Sequence, residues 1–131
     1  MVSIINKVGT IKASYDNVGF ACEQTVRVLI LWKQLHGVKN KSVNNSIKRY
    51  SHTSRNSLED LSKKFDYLYL LAIINSKYCQ HIFNQLRGYG SIDINPLVLR
   101  DIPIPQIPLS AQTPFIAHAQ KMLDLPKEKN E

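Results

Sequence analysis

Apolar positions recur at three- and four-residue spacing from Leu68 to Leu86, through Leu71, Ala72, Cys79, Ile82 and Phe83, with Asn75 in the same row. That period is one face of an α-helix, and it predicts a long helix over 65–86 with Leu71 and Phe83 buried. Gly88 and Gly90 then stop it. Upstream, Ser57-Leu58-Glu59-Asp60 sets a serine three residues before an acid, a capping-box pattern that predicts a helix start near Ser57. That helix either breaks or continues at Phe65-Asp66.

The N-terminal half has a different rhythm. Val2 to Val8 and Ile11 to Ser14 carry the β-branched content of strands, and Asp16 to Gly19 supplies residues suited to a tight reversal. Thr25 to Trp32 is a continuous apolar run interrupted only by Arg27, which reads as a strand buried on both faces. Near the other end, Pro103, Pro105 and Pro108 forbid helix and central strand alike, so Asp101 to Leu109 is expected to be an extended connector. Ser110 can cap a final helix with Pro114 in its first turn, and 127–131 is a tail. The expected fold is α+β: a small twisted sheet packed by the long helix and closed by the connector and the C-terminal helix, one domain over 1–126.

Between 37 and 57 the composition turns to lysine, asparagine and serine, with Val43, Ile47 and Tyr50 the sizeable apolar or aromatic side chains. So little apolar area does not offset the entropy of ordering the segment, which predicts a basic loop insertion. Charge concentrates there: from Lys39 to Lys64 seven basic residues face two acids, +5 of a net +7. Such a balance favours a polyanionic partner, because each cation near a phosphate releases condensed counterions. Cys22 and Cys79 lie in apolar settings far apart, no signal-peptide pattern opens the chain, and no apolar run reaches bilayer length. Free thiols in a soluble cytoplasmic protein are expected.

Four motifs give the reading its direction. Ala13 to Phe20 holds a Tyr-Asp-x-x-Gly turn, Leu70 to Lys77 reads Leu-Leu-Ala-Ile-Ile-Asn-Ser-Lys, and Gly88, Gly90 and Ser91 form a glycine-rich loop ahead of Ile102-Pro103-Ile104-Pro105. Pro108-Leu109-Ser110-Ala111-Gln112 then opens the last helix. In that order they resemble the TaqI-like C-terminal specificity domain of bacterial restriction-modification enzymes, over most of the chain except His36 to Lys64. One departure is Ile92-Asp93-Ile94-Asn95, which sets an acid where that family often carries a basic residue. The resemblance implies double-stranded DNA target recognition for a methyltransferase domain of the same parent chain, with this chain a fragment that lacks catalysis of its own.

The residue chemistry points the same way. Asn95-Pro96-Leu97-Val98 has only half of the Asn-Pro-Pro-aromatic pattern of an adenine methyltransferase, and no nucleotide-binding glycine turn precedes it. Glu59-Asp60 with Lys63-Lys64 reads as a solvated helix face with i,i+4 pairing. His36, His52, His81 and His118 have no ligand spacing, so neither metal nor cofactor is expected. The DNA-contact candidates are Lys39, Lys41, Lys48, Arg49 and Arg55 of the basic segment, Lys12 and Tyr15 of the second strand, Asn17, and Arg87, Tyr89 and Ser91 around the glycines. Arg and Tyr offer fork and stacking contacts and Asn pairs with adenine, yet the glycine loop also serves as a plain helix C-cap and turn asparagines often bond their own backbone. Two rival functions stay open: a basic RNA-binding or ribosome-associated protein, and a protein-interaction module dimerising through its apolar helix.

Overall fold

The computed structural model describes residues 2–7, 10–15, 27–49, 52–87 and 99–125. Strands β1 (Val2–Lys7), β2 (Thr10–Tyr15) and β3 (Arg27–Leu29) form an antiparallel sheet in the order β2-β1-β3. β1 pairs Val2 with Tyr15 and Lys7 with Thr10 on one side, and Val2 with Leu29 and Ile4 with Arg27 on the other. Alternation along the strands buries Val2, Ile4 and Ile11 and leaves Lys12 and Ser14 exposed. The apolar run from Thr25 predicts a buried strand as far as Trp32. Its strand instead ends at Leu29, Val28 and Leu29 are only half-buried, and Trp32–Leu35 is a turn of 3-10 helix. The amide of Leu31 donates to the Tyr67 hydroxyl at 2.8 Å rather than to a neighbouring strand.

Helices α1 (Lys41–Arg49), α2 (Arg55–Ser62), α3 (Tyr67–Ile74), α4 (Lys77–Arg87) and α5 (Leu109–Leu123) complete the described elements. Helix content dominates, and the single helix expected over 65–86 is two. Its break falls at Asn75-Ser76, where the Ser76 hydroxyl donates to the Ile73 carbonyl and accepts from the Cys79 amide at 3.2 Å, ending one helix and capping the next. Short polar side chains that bond nearby backbone compete with helix continuation in this way. Asp66 caps α3 by accepting from the Leu68 amide at 2.8 Å. The start of α2 also differs from expectation: Ser54, not Ser57, is its cap, accepting from the Ser57 amide at 3.2 Å.

Breaking the helix gives its halves different surroundings. α3 packs against β2 on one side and α5 on the other, so Tyr69, Leu70, Leu71, Ile73 and Ile74 are all buried, and no single stripe describes it. Leu71 and Ile74 join Val2, Ile4 and Ile11 under the sheet, together with Cys79 and Phe83 of α4. Tyr69, Leu70 and Ile73 form a second cluster with Leu31, flanked by Phe65 and Ile116. α4 keeps one buried face, with Phe83 and Cys79 fully enclosed and Leu86, expected on the stripe, exposed.

Residues 103–108 have no regular secondary structure, in keeping with an extended connector. Tyrosine hydroxyls hold it: Tyr69 donates to the Pro105 carbonyl at 2.6 Å and Tyr78 to the Pro103 carbonyl at 3.2 Å. α5 starts directly after Pro108 without a cap from Ser110, so Pro114 is the sixth helical residue and not in the first turn. Fully buried Gln112 anchors this end instead. Its Oε1 accepts from the Asp66 amide at 3.1 Å, and its Nε2 donates to the carbonyls of Lys64 at 2.7 Å and Ile107 at 3.0 Å. Every polar atom of that amide is satisfied, as burial requires.

Candidate nucleic-acid interface

The segment expected to be a basic loop is mostly helix. Asn40 accepts from the Val43 amide through its side chain at 2.9 Å, capping α1, and Val43 is buried with Ile47 half-buried one turn on. Two apolar side chains at i,i+4 plus a cap orient a helix although they are too few to build a core. The chain reaches this helix through Gly37, whose φ of +78° lies in the left-handed region that suits glycine.

A polar cluster bolts the root of this segment to α2. The Arg55 guanidinium donates to the Leu35 carbonyl at 2.6 Å and to the Glu59 carboxylate at 3.2 Å, and the second Glu59 oxygen meets His36 Nδ1 at 2.9 Å. Behind it the Ser62 hydroxyl accepts from the Lys33 amide at 2.7 Å and donates to the Glu59 carbonyl at 2.7 Å. Lys33 Nζ donates to the Phe65 carbonyl at 3.0 Å. Glu59 is thus buried and paired backwards, not part of a solvated face; Asp60 and Lys63 are exposed and paired at 3.3 Å, but at i,i+3 rather than i,i+4. The His36 hydrogen bond is the chief cause holding the Glu59 carboxyl below its ordinary value; desolvation opposes it and Arg55 adds to it.

Arg55 therefore stands apart from the other candidates, with its guanidinium spent inside the protein. Lys39, Lys41, Lys48 and Arg49 are the reverse: all are exposed, and among the described residues none makes an ion pair or side-chain hydrogen bond. Residues 38–54 contain no acid to oppose them. The fold brings these four together on and beside one short helix. Lys12 is exposed on β2. Tyr15 is half-buried, its ring centroid 6.1 Å from that of Tyr67, so it packs against the core and is not a free stacking surface. Asn17, Tyr89 and Ser91 lie outside the described residues, as does Cys22; Arg87 ends α4, with its side chain also outside them.

Several residues organise this scaffold through contacts that their motifs do not specify. Asn75 and Gln80 bond the outer edge of β2, Gln112 ties three segments together, and Tyr67 joins Leu31 to Gln34 through its hydroxyl. The Asn-Ser of the Leu-Leu-Ala-Ile-Ile-Asn-Ser-Lys motif and the Gln of Pro-Leu-Ser-x-Gln are accordingly structural here.

What the arrangement offers chemically is cationic surface. Among the described residues no group of three or more His, Cys, Asp or Glu side chains is placed to hold a metal ion, and no helix is long and apolar enough to cross a membrane. Cys79 is a free, buried thiol pushed up in pKa by desolvation, which disfavours the reactive thiolate. Comparison with protein-family models, curated proteins and solved structures gives no match for this chain.

Proposed function

We propose that the chain is a non-catalytic domain that binds double-stranded DNA, the target-recognition part of a bacterial restriction-modification enzyme whose methyltransferase domain belongs to the same parent chain. The observation that carries this reading is the set of four unpaired, exposed cations, Lys39, Lys41, Lys48 and Arg49, in a segment without acids. Cations left without protein partners are available to phosphates, and their contribution is electrostatic and independent of sequence. The ordered motifs that resemble TaqI-like specificity domains supply the parent enzyme class. Arg55 is left out of the contact set because its guanidinium holds Leu35 and Glu59.

The test is fluorescence anisotropy of a labelled duplex with the 131-residue chain across a range of salt. Binding that weakens with salt is expected. Replacing Lys39, Lys41, Lys48 and Arg49 by alanine should lower the salt slope by about 0.9 per lost phosphate contact, up to about 3.6, and weaken every duplex alike. An absence of duplex binding by the unaltered chain at low salt, or an unchanged slope in the fourfold variant, overturns the reading. Stronger competition by A-form RNA than by DNA would favour the RNA-binding rival.

A further inference from the structure

The outward face of α1 carries more than charge. Lys41, Asn44, Asn45 and Lys48 are all exposed, and at 100° per residue they fall within about a third of the helix circumference. Val43 and Ile47 lie on the side turned toward the protein. Neither Asn44 nor Asn45 has a side-chain hydrogen-bond partner among the described residues. Asparagine is one of the poorer helix formers, and two of them side by side in the middle of a nine-residue helix cost stability that no packing or bonding here returns. Local choices that oppose the fold without a structural gain are a mark of functional positions.

Resting on the proposed DNA-binding reading, we infer that α1 is a recognition helix for the major groove, with Asn44 and Asn45 reading an adenine edge between phosphate contacts from Lys41 and Lys48. The dimensions agree. A major groove about 12 Å wide admits one helix, and seven residues at about 1.5 Å each set Lys41 and Lys48 about 10 Å apart along the axis, on either side of the asparagines. Long lysine side chains then reach the phosphate walls while the shorter amides face the floor. An asparagine amide presents a donor and an acceptor side by side, the complement of adenine N7 and N6. The hub of Glu59, Arg55 and His36 fixes the root of the segment, so α1 is presented on a supported base.

Enrichment of a duplex pool with a randomised core by the 131-residue chain tests this. The unaltered chain should select at least one fixed A·T pair, and Asn44→Ala/Asn45→Ala should lose the preference at that pair while binding unselected duplex within about twofold. Alanine favours helix, so this variant should fold at least as well, and its melting temperature checks that. As a gain-of-function arm, Asn45→Arg should move the preference at one position toward guanine, whose O6 and N7 suit a guanidinium fork. If the double variant selects the same base pairs as the unaltered chain, or if the unaltered chain binds duplex but selects nothing, the recognition helix is rejected while phosphate binding stands. Failure of the unaltered chain to bind duplex at all rejects both.

Discussion

Asn75 completes the edge of β2 at Ala13: its side-chain carbonyl accepts from the Ala13 amide at 2.8 Å and its NH2 donates to the Ala13 carbonyl at 2.9 Å. Gln80 bonds the same edge two residues along, accepting from the Ile11 amide at 2.8 Å. An open strand edge is a template for pairing with another chain, and here helix side chains occupy part of it. Asn75→Ala is expected to destabilise the fold by about 1–2 kcal/mol, since two hydrogen bonds are lost at a site water can reach. The urea midpoint should fall and the Ala13 amide should exchange faster. If both stay put, the clamp seen between these residues does not contribute to stability.

A contrast within α4 tests its orientation. Phe83 is fully buried and Leu86, one turn later, is 41% exposed. Phe83→Ala should cost about 3–5 kcal/mol, whereas Leu86→Ala should stay within about 1 kcal/mol. Thermal melts of the two proteins decide it; similar losses from both would mean that α4 is rotated relative to the core.

Acid sensitivity should trace to Glu59. Its carboxyl pKa is held below the ordinary 4.5, so its contribution to stability is fully present above pH 4.5 and disappears as pH falls through the lower folded value. Glu59→Gln removes that dependence. The gap in melting temperature between Glu59→Gln and the unaltered chain should be widest above pH 4.5 and shrink in more acidic solution. A gap that holds constant down to low pH would exclude Glu59 as the titrating group.

Arg55 separates structure from binding. Arg55→Ala removes the bonds to Leu35 and Glu59, and it should lower stability by about 1–3 kcal/mol while leaving the salt slope of DNA binding unchanged. A slope reduced by about 0.9 with unaltered stability would return Arg55 to the phosphate-contacting set.

β-branched content places β1 and β2 correctly, and the helical period places the buried Leu71 and Phe83, because each of those faces packs on one core. The same logic missed α3, where two layers bury opposite sides and leave no polar face to mark the period. It also ran through Asn75-Ser76, since a helix break made by side chains bonding back to the main chain leaves the apolar spacing intact. Composition predicts loop at α1 because it measures buried area, whereas the order of this helix depends on a local cap and two anchored side chains. The cluster around Glu59 is not legible for another reason: His36 and Glu59 lie 23 residues apart, and no local spacing links them.

The buried amide of Gln112 has a consequence for how this protein comes apart. It spans 46 residues to Asp66 while also gripping the end of the proline connector, so three stretches of chain share one set of bonds. The first turn of α5 has no independent way to fray: lifting it strands one donor, at Asp66, and two acceptors, at Lys64 and Ile107. The α2–α3 turn, the connector and the start of α5 therefore form a single cooperative opening unit, and their amides should exchange with deuterium at a common rate.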